Sequence, residues 1–337
     1  MYADVIALSR LFQAWYAFRR GKAHKPDVQV FERHLENNLF ALYEALRDKT
    51  YRHGQYVSFY VADPKRRHIH KATVADRVIH HLLYAHFYGL FDKAFIYDSY
   101  SCRIGKGTHK AVHRLVSFVG KASGNYSRPC WALQCDIKQY FATVDHQILV
   151  SLLRRKISDR DIMWLLSQVI ESFHSDAGCG KGIPLGNLTS QIFANIYLNE
   201  LDQFIKHQLR VPYYLRYADD FLLLSIRRET LDGYLLKLVN FLKITLRMEL
   251  HPKKIRIRRL TWGIDFVGYI VLPHCVLPRT KTKHRMFERL EDRKNSPGFN
   301  NSLQSYLGYL SHANAYGVSQ TVENLAWLWR DGSGNDP

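Results

Sequence analysis

Two adjacent aspartates, Asp219 and Asp220, have the type and spacing needed for chemistry. Apolar β-forming residues flank them within residues 213–225, which predicts a strand–turn–strand hairpin with both carboxylates at its corner. Like charges in apolar surroundings repel each other, and bound divalent cations relieve that repulsion. A tight turn also aims both carboxylates at one place. The pair therefore indicates a two-metal site, and the alternative is an ordinary turn, in which aspartate is common.

A third carboxylate could come from Asp136, at the end of a predicted buried strand over residues 130–136. Two metal ions about 3.5–4 Å apart need a carboxylate that binds both. Asp136 can serve only if the fold brings it beside Asp219 and Asp220, and otherwise it is a structural strand end. Asp145 follows and is predicted to cap a helix that runs to about residue 156.

Several segments could bind phosphate groups. A basic run at residues 65–71 follows a predicted strand at 55–61, where guanidinium groups could clamp a triphosphate or a template backbone. The alternative for this run is a solvated basic face. Gly186 precedes a helix that opens at about Asn187, and glycine allows close approach of a ligand to the backbone. Residues 99–110 contain two glycines but lack a Gly-Lys-Ser/Thr ending, which gives little support to a nucleotide-triphosphatase loop.

The overall charge favours a polyanionic partner. Lysine and arginine exceed aspartate and glutamate by 48 to 30, which gives a net charge of +18. Residues 251–259 alternate apolar and basic side chains, and residues 279–293 form a predicted basic helix. Nucleic acid is therefore the favoured partner, and a basic enzyme without one is the alternative.

The cysteines and the hydropathy exclude other classes. Five scattered cysteines without a Cys-x-x-Cys pair argue against a zinc site or a disulfide framework and fit a reducing cytoplasm. No run of 18 apolar residues occurs and the N-terminus lacks a signal-peptide pattern, so we expect neither secretion nor membrane insertion. Segments 3–20 and 27–48 have helical spacing.

Taken in order, these features resemble the reverse transcriptase domain from near residue 55 to near residue 315. The matching motifs are Asp136 with Tyr140-Phe141, Gly186 with Ser190, Tyr217-Ala-Asp-Asp220, Lys253-Lys254 and Phe266-Val-Gly-Tyr269. Upstream, Arg67 and Asp76-Arg77-Val78 resemble the fingers motif of group II intron and retron enzymes. Most members have Gln-Gly-x-x-x-Ser-Pro where this chain has Leu185-Gly-Asn-Leu-Thr-Ser190-Gln191. That variant, with residues 305–310, resembles the reverse transcriptases of diversity-generating retroelements.

The resemblance implies an α+β right-hand polymerase with fingers, a palm whose antiparallel sheet packs on helices, and a helical thumb. The implied boundaries are 1–129 for the N-terminal helices and fingers, 130–275 for the palm, 276–330 for the thumb, and a disordered tail at 331–337. Residues around 160–190 would belong to the fingers.

The resemblance also implies a role for each site residue. Asp136, Asp219 and Asp220, with the Ile137 carbonyl, would hold two Mg²⁺ ions, with Mn²⁺ as an alternative ion. Lys254 would protonate or neutralise the leaving pyrophosphate, unless it is only a phosphate-facing surface lysine. The implied nucleotide-binding residues are Lys65, Arg67, Phe141 as a steric gate against ribose, Leu185, Gly186, Ser190 and Gln191. The implied primer–template contacts are Tyr217, Gly268, Tyr269, Lys281, Lys283 and Arg285.

The function implied by the subfamily is RNA-directed DNA synthesis on a template-repeat RNA, with cDNA altered at adenines. Its partners would be the RNA, the primer or cDNA, deoxynucleoside triphosphates and a small basic helical accessory protein that is oligomeric. Leu185, where relatives have a polar glutamine, would loosen discrimination against mispairs. The alternatives are a retron or group II intron reverse transcriptase and a non-catalytic RNA-binding protein on a polymerase scaffold.

Overall fold

The computed structural model of the protein describes residues 2–62 and 66–331, and within them the chain is an α+β fold. Its helices are α1 (Tyr2–Ile6), α2 (Leu8–Arg19), α3 (Pro26–Glu32), α4 (Leu35–Arg47), α5 (Val74–Asp92), α6 (Thr108–Ala122), α7 (Tyr140–Thr143), α8 (His146–Arg154), α9 (Arg160–Ile170), α10 (Leu188–Gln203), α11 (Arg228–Thr245), α12 (Thr280–Asp292), α13 (Phe299–Leu310) and α14 (Tyr316–Asp331). Its strands are β1 (Val57–Val61), β2 (Arg67–Lys71), β3 (Trp131–Asp136), β4 (Tyr214–Tyr217), β5 (Asp220–Ser225), β6 (Arg256–Arg259), β7 (Ile264–Phe266), β8 (Tyr269–Leu272) and β9 (Cys275–Pro278).

The strands form three antiparallel sheets. The central sheet has four strands in the order β4-β5-β3-β6, a second sheet has the order β7-β8-β9, and β1 pairs with β2 as a hairpin. The central sheet brings β3 beside β5 although about 80 residues of chain separate them. The two strand ends that carry aspartates are therefore neighbours.

Both faces of the central sheet are buried, because alternate residues of β5 enter different hydrophobic cores. Phe221 and Leu223 belong to a large core that includes α10, α11 and the N-terminal helices. Leu222 and Leu224 belong to a second core with α6 and β8. Packing on both faces fixes the register of the sheet, since a slip of one residue would exchange the two sets.

The last three described helices, α12 to α14, enclose a small core of their own, which includes Met286, Leu303 and Val322. Tyr309 of α13 connects this core to the β7-β8-β9 sheet: its hydroxyl donates to the Gly268 carbonyl at 2.6 Å, and the Tyr269 hydroxyl donates to the Tyr309 carbonyl at 2.9 Å. The helical unit is thereby anchored to the β7-β8-β9 sheet.

Several predicted elements differ in detail. Segment 3–20 is divided at Ala7 and segment 27–48 at His34, where the backbone leaves the helical region. The predicted cap is confirmed, because the Asp145 carboxylate accepts hydrogen bonds from the amides of Gln147 and Ile148 at the start of α8. Of the predicted tail, Asp331 ends α14 and residues 332–337 lie outside the described residues. In the part of the chain that the structure describes, no helix has the length and apolarity needed to cross a membrane.

Candidate active site

The β4–β5 hairpin places its two aspartates at a tight corner. Tyr217 pairs with Asp220 in register, so only Ala218 and Asp219 form the turn. Ala218 has a φ of 56°, in the left-handed region that few non-glycine residues adopt. Strained backbone of this kind persists only where the surrounding structure holds it, and it is concentrated at functional sites.

Asp136 meets this corner. It is the last residue of β3 and lies directly opposite Asp220 of β5 in the antiparallel register. Residues opposite each other in such a pair have side chains on the same face, with Cβ atoms about 4.5–5.5 Å apart. Asp136 is nearly buried, at 5% exposure, whereas Asp219 is half-buried and Asp220 is exposed. The fold therefore gathers the three carboxylates that the sequence singled out.

The electrostatics of the corner favour a cation. Although the Asp220 side chain reaches solvent, desolvation by the surrounding protein, followed by repulsion from Asp219 and the contact with Asp136, raises the pKa of Asp220 to about 7. Lys254 acts in the opposite direction, because its ammonium group favours the charged carboxylate. Repulsion between the neighbouring carboxylates therefore favours a cation at the Asp220 side chain.

Lys254 is bound to the site rather than free at the surface. It ends a short 3₁₀ turn, Pro252–Lys254, and its Nζ donates to the Asp136 carboxylate at 2.5 Å. The turn is itself held against β3, because the His251 amide donates to the Asp136 carbonyl at 2.8 Å. Lys254 therefore occupies the position of a counter-charge for Asp136.

The residues fit a divalent cation by their chemistry. Ile137 lies opposite Leu250 in an antiparallel bridge, and the hydrogen bonds of this bridge are made by its neighbours Asp136 and Lys138. The Ile137 carbonyl therefore points away from Leu250, towards the turn that carries Asp219. Carboxylate and carbonyl oxygens are the ligands that Mg²⁺ prefers. Among residues 2–62 and 66–331, no cluster of three or more ligands already has metal-binding geometry. The Asp136 carboxylate is paired with the Lys254 ammonium group.

A cleft of about 600 Å³ opens in front of Asp136 and Asp220. Its cationic lining residues are Lys254, Arg256, Arg279 and Lys281. Asp265 also lines it, but its carboxylate contacts the Arg279 guanidinium. The remaining cations give the cleft a positive wall beside an acidic floor, which suits a phosphate-bearing substrate whose reacting end lies at the carboxylates.

The β1–β2 hairpin is clamped to the loop before α10. The Leu185 carbonyl accepts from the His70 amide at 3.0 Å, and the Asn187 side chain donates to the His70 carbonyl at 2.7 Å. Gly186 has a φ of 109°, and a Cβ there would meet Ile69 Cγ2 at 2.8 Å. Arg67, exposed at the start of β2, lies on the same face of the strand as Ile69. Its predicted partner Lys65 lies outside the described residues.

The other predicted nucleotide-binding residues lie in different environments. Phe141 is half-buried in α7, and its carbonyl accepts from the Ile183 amide at 2.8 Å, which connects α7 to the segment before Leu185. Ser190 is 1% exposed, and its hydroxyl makes no hydrogen bond within the described chain. Gln191 is exposed. Gln191 is therefore accessible to a nucleotide in this structure, whereas Ser190 is buried.

Of the predicted primer-side residues, Tyr217 pairs with Asp220, and Gly268 follows Val267, which lines the cleft. The Tyr217 hydroxyl lies 3.1 Å from Thr108 Oγ1 at the start of α6. Gly268 has a φ of 100° in the β7–β8 turn and accepts the bond from Tyr309. Tyr269, however, is fully buried, with its ring against Tyr309. The geometry therefore does not support the predicted contact of the Tyr269 side chain with the primer, and its place is to hold the turn.

The basic helix α12 divides its cations between two sides. Lys281 lines the cleft, and half-buried Arg285 lies one turn further on the same face. Lys283 instead lines a groove against Gly317 and Val318 at the start of α14. The predicted template–primer contact therefore fits Lys281, whereas Lys283 faces away from the cleft.

One residue of the site was missed. Arg216 lies next to Tyr217 in β4, is fully buried and donates to the Ala218 carbonyl at 2.9 Å. A signal was present in the sequence, since an arginine between apolar strand residues needs a buried acid, and Asp202 in α10 is the partner.

Comparisons with known proteins decide the family. The family model described as "Reverse transcriptase (RNA-dependent DNA polymerase)" matches residues 62–271, which is more than half of the chain. The chain belongs to the reverse transcriptase family. The enzyme class predicted from the sequence, an RNA-directed DNA polymerase, is the class of this family.

Individual relatives agree with this assignment. The chain is 26% identical to Protein YkfC of Escherichia coli K12 over 291 residues, which cover 73% of this chain and 76% of that protein. It is 26% identical to the group II intron-encoded protein LtrA of Lactococcus lactis over 180 residues, 50% of this chain and 28% of LtrA. The sequence relatives thus include group II intron-encoded proteins.

The solved structures similar to this reverse transcriptase include telomerases. Candida tropicalis telomerase superposes with a TM-score of 0.55 at 12% identity, over 84% of this chain and 58% of the telomerase. Candida albicans telomerase, solved with a fragment of telomeric RNA, gives a TM-score of 0.52 over 80% of this chain and 55% of that chain. At this identity the likeness shows the fold, and it confirms the predicted polymerase architecture.

Proposed function

We propose that this chain copies RNA into DNA by nucleotidyl transfer at the Asp136–Asp219–Asp220 corner. The observation that carries the proposal is the register of β3 against β5, which places Asp136 opposite Asp220 at the floor of a cation-lined cleft. Three acids from two distant parts of the chain are costly to assemble in one place unless cations are part of the function.

The residues have separate roles in this proposal. Asp136, Asp219 and Asp220, with the Ile137 carbonyl, hold two divalent ions, Mg²⁺ or in its place Mn²⁺. When bound, these ions supply charge neutralisation at the attacking hydroxyl and at the leaving pyrophosphate. Lys254, released from Asp136, neutralises or protonates the pyrophosphate.

The nucleotide and the duplex are bound by different surfaces. Arg67, on the face of β2 that looks towards Gly186, binds the triphosphate, with Lys65 as a helper. Phe141 acts in this proposal as the aromatic steric gate that excludes a ribose 2′-hydroxyl. Lys281 and Arg285 contact the template–primer backbone, a contact that carries no sequence information. In this proposal residues 1–129 form the N-terminal helices and fingers, residues 130–275 the palm and residues 276–330 the thumb.

The experiment is primer extension on an RNA template with deoxynucleoside triphosphates and Mg²⁺, by the wild type and by Asp219→Ala. We expect extension by the wild type alone. Asp232→Ala, which removes an exposed aspartate paired with Arg228 on α11, is the matched control and should extend normally. Equal incorporation by wild type and Asp219→Ala would refute the proposal, and no incorporation by the wild type would favour a non-catalytic RNA-binding protein.

For the subtype, we propose a diversity-generating retroelement enzyme that makes adenine-mutagenised cDNA from a template-repeat RNA. The support is Leu185, at the position where the resemblance to the reverse transcriptase motif implies a glutamine in most family members. Its carbonyl is bonded to the His70 amide, so its position is fixed beside the triphosphate-binding strand. An apolar residue there offers no hydrogen bond by which a mispair could be rejected.

Sequencing the cDNA of Leu185→Gln tests this step. We expect fewer substitutions opposite adenine than in the wild type, with Leu188→Gln as a control for an added amide at the start of α10. Unchanged misincorporation opposite adenine would remove Leu185 from the explanation.

The subtype also implies a small basic oligomeric accessory protein. A retron or group II intron enzyme is the second candidate, favoured by the similarity to intron-encoded proteins, and adenine-faithful cDNA would support it.

A further inference from the structure

Arg216 is an arginine whose burial requires an explanation. It is fully inside the protein, at 0% exposure, and a buried guanidinium must have nearly all its donors satisfied. Its Nε and Nη2 donate to the two carboxylate oxygens of Asp202 at 2.8 and 2.7 Å. The Tyr214 hydroxyl donates to the same carboxylate at 2.5 Å. This bidentate pair neutralises the charge and orients the plane of the guanidinium.

The remaining nitrogen of Arg216 connects the pair to the catalytic turn. Nη1 donates to the Ala218 carbonyl at 2.9 Å and lies 3.3 Å from the Asn195 amide oxygen. Asn195 and Asp202 are two helical turns apart on the same side of α10, so one face of a rigid helix holds the guanidinium. The Asn195 amide also donates to the Ser101 carbonyl at 3.0 Å.

The turn needs such support. Ala218 has a φ of 56°, which strains a residue with a Cβ, and it is followed directly by Asp219 and Asp220. A carbonyl held from inside the protein fixes the peptide plane between Ala218 and Asp219. The direction of the Asp219 side chain follows from that plane.

We propose that Arg216 is a positioning residue for the polymerase reaction, holding the Ala218 carbonyl so that Asp219 and Asp220 face Asp136. This inference rests on the proposed function. The planar fork is essential to it, because a lysine can keep the charge beside Asp202 but cannot also hold the carbonyl from a fixed plane. A role in folding alone would instead require only the charge and the packing.

The test is Arg216→Lys in the full chain, measured by the single-turnover rate per active enzyme and by the Mg²⁺ concentration that gives half of the maximal rate. Because a misplacement of about 1 Å at a catalytic centre costs about 100-fold in rate, we expect a decrease of that order. We also expect a higher Mg²⁺ midpoint and primer–template affinity within about twofold of the wild type. The matched control is Arg19→Lys, since Arg19 pairs with Glu32 between the ends of α2 and α3, outside the residues assigned to the site.

If Arg216→Lys does not fold, Asn195→Ala is measured in the same way, because it loosens Nη1 and leaves the Asp202 pair intact. A folded Arg216→Lys with the wild-type rate per active enzyme and the wild-type Mg²⁺ midpoint would overturn this inference alone. Loss of the fold in both variants would assign Arg216 to folding and would also overturn it. A wild type that cannot extend a primer would overturn the proposed function and this inference with it.

Discussion

Replacing Gly186 by alanine tests how the loop before α10 positions the nucleotide-binding strand. Gly186 has a φ of 109°, a conformation that residues with a Cβ rarely adopt. The added Cβ would also lie 2.8 Å from Ile69 Cγ2, whereas carbon atoms in contact are ordinarily about 3.5–4.0 Å apart. The substitution therefore strains the backbone and pushes on β2.

The size of the effect follows from these two terms. The backbone conformation costs about 1–3 kcal/mol for a non-glycine residue. Overpacking adds about 1–3 kcal/mol if β2 stays in place. If β2 moves to relieve the contact, the displacement is about 1 Å, and Arg67 on the same face moves with it. A shift of that size costs roughly 100-fold in kcat/KM for an incoming nucleotide.

Urea unfolding and steady-state kinetics with deoxynucleoside triphosphates measure the two outcomes together. We expect a lower free energy of unfolding, a lower kcat/KM, or both. Gly233→Ala is the control: Gly233 lies inside α11 with nothing within 4 Å of an added Cβ, so alanine should stabilise by roughly 0.5–1 kcal/mol without changing kinetics. Adding Ile69→Ala to Gly186→Ala should recover the overpacking part. A Gly186→Ala enzyme with wild-type stability and kinetics would refute the reasoning.

Three further predictions concern the carboxylates and their surroundings. The pKa of Asp220 is raised to about 7 in the folded chain, so without divalent ions the stability of the fold falls as pH rises from about 4 to 7. Asp220→Asn should lessen this fall, measured as Tm in chelator at pH 5 and pH 8. An equal fall of Tm in both proteins would contradict the prediction. Lys254→Ala should lower kcat of primer extension by roughly 100-fold. Lys253→Ala, a substitution on the same turn, should leave kcat unchanged. An equal decrease of kcat in both variants would show that Lys254 has no specific role. Asp145→Ala removes two capping hydrogen bonds and the ion pair to Arg247. The free energy of unfolding in urea should therefore fall by about 1–2 kcal/mol, with kcat unchanged. An unchanged free energy of unfolding would contradict the role of Asp145 as a cap.

Local patterns allowed part of the site to be predicted from the sequence. The hairpin around Asp219 and Asp220 is readable because apolar β-formers on both sides leave one position for the turn. Asp145 is recognisable as a cap because it precedes an apolar helical pattern. The meeting of Asp136 with Asp220 was a conditional prediction, since strand pairing over a long separation is not written in either strand alone.

Other features depend on which side a residue faces. In β8, Tyr269 and Val271 are buried whereas Ile270 and Leu272 are half-buried, and an entirely apolar strand carries no polar alternation to tell the two sets apart. The position of Lys283 was readable in principle, because residues two apart on a helix lie on nearly opposite faces. Arg216 could not be placed, since its partners Asp202 and Asn195 come from another element.

Helix α10 connects the two halves of the proposed site. Its first turn follows Leu185 and Gly186, which hold β2, and its buried side carries Asn195 and Asp202, which hold Arg216. A helix of 16 residues is about 24 Å long and stiff, so a shift at its start is carried to its buried polar residues. The effects of substitutions at Gly186 and Arg216 on the single-turnover rate should therefore be non-additive, because both sites depend on the position of α10. Single-turnover rates of the two single variants and the double variant measure this coupling, and strictly multiplicative losses would show that the nucleotide loop and the catalytic turn are positioned independently.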